Sequence, residues 1–150
     1  AEPAAVATER RLATVARVAA KRRIDGADAL ELATIRGWSV VIRTDEFAVG
    51  ELVVYFEIDT FLPAGRPEYE ILRRNSACTY KGIDGFRLRT VRLRGQLSQG
   101  WLAPLTIVDD VAVRERLAEG DNVTEVLGVT KWHSRQELIE LGEIDEGGGG

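Results

Sequence analysis

The run Leu52-Val-Val-Tyr-Phe-Glu-Ile58 constrains the fold most. It is the most β-branched and aromatic run of the chain, which suits a pleated, packed surface. Such a run belongs in the centre of a sheet, so the rest of the chain has to supply neighbours and cover for it. Shorter runs do so. Leu30, Leu32 and Thr34 alternate before Gly37, and Trp38, Val40 and Ile42 alternate after it. Leu12, Val15 and Val18 break strict alternation, which predicts a bend or bulge in the first strand. Asp25-Gly26 supplies turn chemistry between strands.

Helical signals are few and short. Pro67 with Glu68 and Glu70 after it, and Arg73 and Arg74 closing, predicts a helix over 67–74 with both ends matched to the macrodipole. A capped helix is expected from Asp109 or Asp110 to Gly120, and another within 134–146. Five strands, glycine turns and short helices among and after the late strands fit a mainly β chain. The expected form is a small five-stranded oligonucleotide-binding (OB) barrel, with an SH3-like barrel as competitor. The domain is placed at residues 10–130. A flexible N-terminus (1–9) precedes it, and an acidic C-terminal helix with a glycine linker or truncation scar (131–150) follows.

At 150 residues and 45% hydrophobic, the chain can bury one real core. No apolar run approaches the roughly 20 residues that cross a bilayer, so no membrane partner is expected and a cytoplasmic location is. Cys78 is the only cysteine and His133 the only histidine, which excludes an internal disulfide and a Cys/His zinc site. The net charge of −4 is unevenly spread. Residues 101–150 hold 4 basic and 11 acidic side chains, whereas 66–100 hold 8 basic and 3 acidic. A local basic face is an electrostatic footprint for nucleic acid even on an acidic chain.

That face centres on "DGFRLRTVRLRGQLSQG". Phe86 and Leu88 share one side of a strand, but Val91 and Leu93 fall on the other. A bulge near Thr90 restores one apolar face and gathers Arg87, Arg89, Arg92 and Arg94 outside. Guanidinium groups suit phosphates, while Gln96, Ser98 and Gln99 offer hydrogen bonds to bases or sugars. Trp38 and Trp101 are stacking platforms or core residues, and Lys21, Arg22 and Arg23 extend the basic face or simply solvate a loop. The plain alternative is an edge strand kept soluble by charge.

Lys81-Gly-Ile-Asp84-Gly85 looks like the lysine signature of nucleotidyl transferases but has one residue too many between Lys and Asp-Gly. A covalent lysine needs a dry pocket, metal-binding carboxylates and further lysines, which this chain does not supply. Lys81 is therefore read as a turn residue beside the basic face, with Gly82 and Asp84-Gly85 forming the turn.

The blocks Gly37-Trp-Ser-Val-Val41, Tyr55-Phe-Glu-Ile-Asp59 and Arg92-Leu-Arg-Gly-Gln-Leu-Ser-Gln-Gly100 together resemble the N-terminal OB module of Deinococcus-type ATP-dependent RNA ligases. The likeness covers about residues 10–130. A looser one links the last block to tRNA-binding OB domains of aminoacyl-tRNA synthetases. The first resemblance implies RNA contact that positions a nicked or broken end for sealing. Catalysis, ATP and a divalent metal then belong to a separate nucleotidyltransferase domain in cis or in trans, and this chain alone is expected to be no enzyme and to hold no cofactor. A free-standing binder of tRNA or other structured RNA, and a protein-interaction barrel, are the alternatives.

Overall fold

The computed structural model describes residues 11–145. The expected flexible N-terminus and the closing glycines lie outside the described residues. Strand β5 (Leu52–Phe56) is central, as its composition demands. It pairs antiparallel with β1 (Ala13–Arg17) on one side and β11 (Trp101–Pro104) on the other. Val53, Val54, Tyr55 and Phe56 are all buried. Val54 and Phe56 enter one core with Val15, Phe86, Leu88 and Ile107, while Val53 and Tyr55 enter a second with Val18, Ile35 and Val40. A core on each face is why this strand has no polar alternation.

The expected bend in the first strand falls at Val18-Ala19. There Val18 N–H bonds Glu51 O and Ala19 N–H bonds Thr34 O, so the chain leaves one sheet and enters another. It continues as β2 (Ala20–Ile24), paired with β3 (Ala27–Ile35) and then β4 (Trp38–Arg43), with a register shift at Arg23/Ile24. A third sheet runs β12 (Thr130–Lys131), β6 (Thr60–Pro63), β8 (Ile83–Arg87), β7 (Ala77–Tyr80). The fourth is the hairpin β9 (Thr90–Leu93) with β10 (Gln96–Gln99).

The expectation of a five-stranded, partly open barrel is corrected in its strand count: among the described residues there are twelve short strands in four sheets, and the sheets do not close into a barrel. Two physical causes are visible. Two-residue turns at Arg36-Gly37, Lys81-Gly82 and Arg94-Gly95 have both residues at positive φ, which matches hairpin twist and cuts the chain into short pairs. At the seam between β4 and β10 the join is made by a side chain, Val41 N–H donating to Ser98 Oγ at 2.9 Å. No backbone ladder connects those two strands among the described residues.

The helical segments are shorter than expected. Pro67–Leu72 is a 3-10 helix, with Pro67 at its start, and continues into the α-helix Arg73–Ser76. Asp110 caps Val111–Glu115 by accepting from Val113 N–H, but that helix stops well before Gly120, whose N–H bonds Val15 O instead. Arg135–Glu140 starts with a full capping box between Ser134 and Glu137. The helix Thr124–Leu127 has no clear sequence signal. It is anchored by the buried Thr124 hydroxyl, which accepts from Leu12 and Ala13 N–H.

Candidate nucleic-acid interface

The stretch singled out in the sequence splits at Leu88-Arg89, between β8 and β9. Leu88 still bonds Thr60 and Asp59 through its backbone, so pairing stops at Arg89, just before Thr90, and no bulge stands at Thr90 itself. The interruption turns the apolar side chains inward: Phe86 and Leu88 are buried, and Val91 and Leu93 are half-buried. Arg92 and Arg94 are exposed between and after them, and Arg89 is exposed at the break. None of these three has a hydrogen-bond or ion-pair partner among the described residues. Arg94 lies over the β2–β3 turn, where a Cβ at Gly26 would stand 3.1 Å from its Nη1.

Arg87 has a different setting. Its guanidinium bonds Asp59 at 2.9–3.0 Å and sits 3.5 Å from the centroid of the Trp132 ring. Lys131 approaches the same carboxylate at 3.8 Å. The four arginines therefore do not form one uniform face. Three are bare and one is engaged under the C-terminal segment. Trp132 was not expected in this role; its tie to Arg87 spans more than forty residues and leaves no local pattern to read.

Across the β9–β10 hairpin, Leu93 opposes Gln96, Arg92 opposes Leu97, Val91 opposes Ser98 and Thr90 opposes Gln99. Gln96 and Ser98 thus share the inward side with Val91 and Leu93, whereas Gln99 lies on the Arg92 side. Gln96 Oε1 accepts from Arg22 Nη2 at 2.6 Å, which ties β10 to β2. Ser98 is buried and spends its hydroxyl on the seam. Gln99 O accepts the Tyr55 hydroxyl. Of the β2 basic run, Lys21 is paired with Glu31 at 3.1 Å and holds that carboxyl below its ordinary range. Arg23 is exposed, 3.7 Å from Asp28.

Trp38 is 43% exposed at the start of β4, while Trp101 packs on Phe56 and Tyr69 with centroids 5.3 and 5.8 Å away. Trp38 keeps an open ring and Trp101 is largely core. Lys81 occupies the β7–β8 turn and its amine bonds the Glu143 carboxylate, which raises the lysine pKa. A nucleophilic amine needs the opposite shift. Asp84 and Gly85 lie within β8 and are not the turn. Gly85 is required by packing, since a Cβ there would stand 2.4 Å from Leu62 O. The residues that mimic a nucleotidyl-transfer signature are thus accounted for by a hairpin and a close strand contact. Among the described residues no group of three or more His, Cys, Asp or Glu side chains could hold a metal ion.

The family model for an OB-fold domain matches residues 12–105. The chain belongs to the OB-fold domain family. Solved structures carry the likeness further. The chain is similar to an apo mutant of Naegleria gruberi RNA ligase, at 42% identity and a TM-score of 0.76 over 83% of this chain. It is similar to a mutant of that ligase with AMP and Mn, at 43% identity and a TM-score of 0.75, again over 83% of this chain. The same ligase with PPi matches at 42% identity and a TM-score of 0.76, over 84% of this chain. In each case the OB-fold chain spans 36% of the ligase chain. These matches link it to the OB-fold of an RNA ligase, and they do not extend to the Deinococcus type. A comparison with curated proteins gives no match.

Proposed function

We propose that this OB-fold domain is the RNA-contacting module of an ATP-dependent RNA ligase, holding a nicked or broken RNA end while a nucleotidyltransferase domain, in cis or in trans, seals it. The observation that carries the reading is the 42% identity to an RNA ligase across 83% of this chain. The guanidinium groups of Arg89, Arg92 and Arg94, without a partner among the described residues, support it, because such surface cations can displace counterions from phosphates. Arg22 and Gln96 extend that surface onto β2, and the open Trp38 ring is available for stacking.

In this reading the module does no chemistry by itself. ATP and a divalent metal act in the other domain, and the role is RNA repair in the cytoplasm. Lys81, held by Glu143 with a raised pKa, is a tethered turn residue rather than a nucleophile. A titration of the chain against nicked duplex, single-stranded RNA and tRNA at several salt concentrations tests the binding. Affinity that falls with salt, strongest for the nicked or single-stranded RNA, is expected. Absence of salt-dependent binding to any of them overturns the reading. Incubation with labelled ATP and Mg²⁺ tests the rest: a covalent adduct that Lys81→Ala abolishes would contradict a non-catalytic role.

A further inference from the structure

Two recesses adjoin between the helical segment Pro67–Ser76 and strands β4, β9 and β10. They share Val41, Ile71, Leu72 and Trp101 in their walls. The larger, about 530 Å³, also carries Glu46 and Glu68 beside Arg43. The smaller, about 200 Å³, has Arg89 as its one charged wall residue, with Asn75, Val91 and Leu93. Carboxylates at the mouth of the first repel a polyanion, and the second has none in its walls. Charge therefore separates two cavities that share an apolar wall.

We infer that the smaller recess receives a single unstacked nucleobase of a single-stranded polynucleotide, whose adjoining phosphate is met by Arg89. The inference rests on the RNA-contacting role proposed above and names the pocket within it. A volume of about 200 Å³ is below the roughly 300–1,000 Å³ of drug-sized sites and suits one ring system rather than a whole nucleotide. The wall is mostly apolar. Ile71 is 55% exposed there, and Trp101 is held in place by Phe56 and Tyr69. An ordered wall admits a flat ring at little entropic cost. Asn75 is exposed, lacks a partner among the described residues, and brings both a donor and an acceptor to a base edge. Arg89 is likewise unpartnered, so a phosphate meets a guanidinium that has no competing carboxylate. A base held in a duplex stack cannot enter, which makes the pocket selective for single-stranded or frayed ends.

The test compares a labelled single-stranded RNA with an abasic strand of equal length, by fluorescence anisotropy. Wild-type chain is expected to prefer the strand with bases by about 10-fold. Ile71→Ala and Asn75→Ala change exposed side chains, so melting temperature should hold. Each is expected to shrink the preference to about 3-fold or less while leaving the salt slope intact. Arg89→Ala should weaken both strands and lower the slope. If no preference exists, or if it survives both substitutions while salt-dependent binding persists, the pocket is overturned and the RNA-contacting role stands. If neither strand binds in a salt-dependent way, the role itself falls and the pocket with it.

Discussion

Arg87 and Arg89 stand two residues apart and meet opposite electrostatic fates. Around Arg87 the basic groups are compensated: Asp59 takes its guanidinium and approaches Lys131, Trp132 covers its face, and Glu143 takes Lys81. Around Arg89 they are bare: among the described residues neither it nor Arg92 or Arg94 on the β9–β10 hairpin has a partner. The boundary is the break at Leu88-Arg89. One lesson follows: a run of like charges in a sequence is no guide to a binding surface until its carboxylates have been located. The C-terminal segment, rich in acid, folds back over one part of the basic run and leaves the other uncovered.

The largest expected effect comes from removing the core residue next to the compensated arginine. Phe86 is fully buried, packs edge-on to Tyr69 with centroids 6.3 Å apart, and lies under the Arg73 guanidinium. Phe86→Ala is expected to cost about 3–5 kcal/mol in urea denaturation. A loss under about 1 kcal/mol would mean that β8 is not locked to the core.

Removing the compensated arginine should act on stability and spare binding. Arg87→Ala gives up a half-buried ion pair and the stacking on Trp132, for an expected loss of about 1–2 kcal/mol. The slope of log K against log salt for RNA should stay unchanged. A slope reduced as much as in the hairpin variants would abolish the distinction between the two regions.

The bare arginines should show the reverse. Arg89→Ala combined with Arg92→Ala should leave stability within about 0.5 kcal/mol. It should lower the salt slope by about 0.7–0.9 for each phosphate that is no longer neutralised, and weaken all RNA sequences alike. An unaltered slope would favour the plainer reading, in which these charges only keep an edge strand soluble.

The smallest effect belongs to the Lys81–Glu143 tether. The hydrogen bond between them lowers the Glu143 pKa and raises that of Lys81. A depressed carboxylate contributes above its unfolded value and loses the contribution as pH falls through its folded value. A raised amine contributes below its unfolded value and loses it as pH rises through its folded one. The tether is thus at full strength between about pH 4.5 and about pH 10.5, and weakens outside. Glu143→Gln should shift the denaturation midpoint slightly at pH 7, and the difference from wild type should fade in acid, below the carboxylate's lowered folded value. A difference that persists there would exclude the ion pair as its source.

Much of the scaffold is written locally. The centrality of Leu52–Phe56, the bend at Val18-Ala19, the Asp110 cap and the early start at Pro67 all follow from residue types and near-neighbour spacing. These depend on propensity, capping and burial, which act over a few residues. The inward-facing Val91 and Leu93 were legible as well, because a period-2 pattern that changes phase demands a break, but the β9–β10 hairpin was read as a single bulged strand.

Other features depend on groups far apart in the chain, and only the tertiary structure decides them. Whether Arg87 is bare depends on Asp59 and Trp132, and whether Ser98 is available depends on Val41 across the β4–β10 seam. Gly85 reads as part of a signature until Leu62 O is found against it. The barrel, too, stays open at the β4–β10 seam, where a side-chain bond between distant residues stands in place of a ladder. Propensity acts between neighbours in sequence, whereas charge compensation and steric contact act between neighbours in space. Residue type marked the central strand, the Asp110 cap and the cations; the fold chose which cations remain open to a partner.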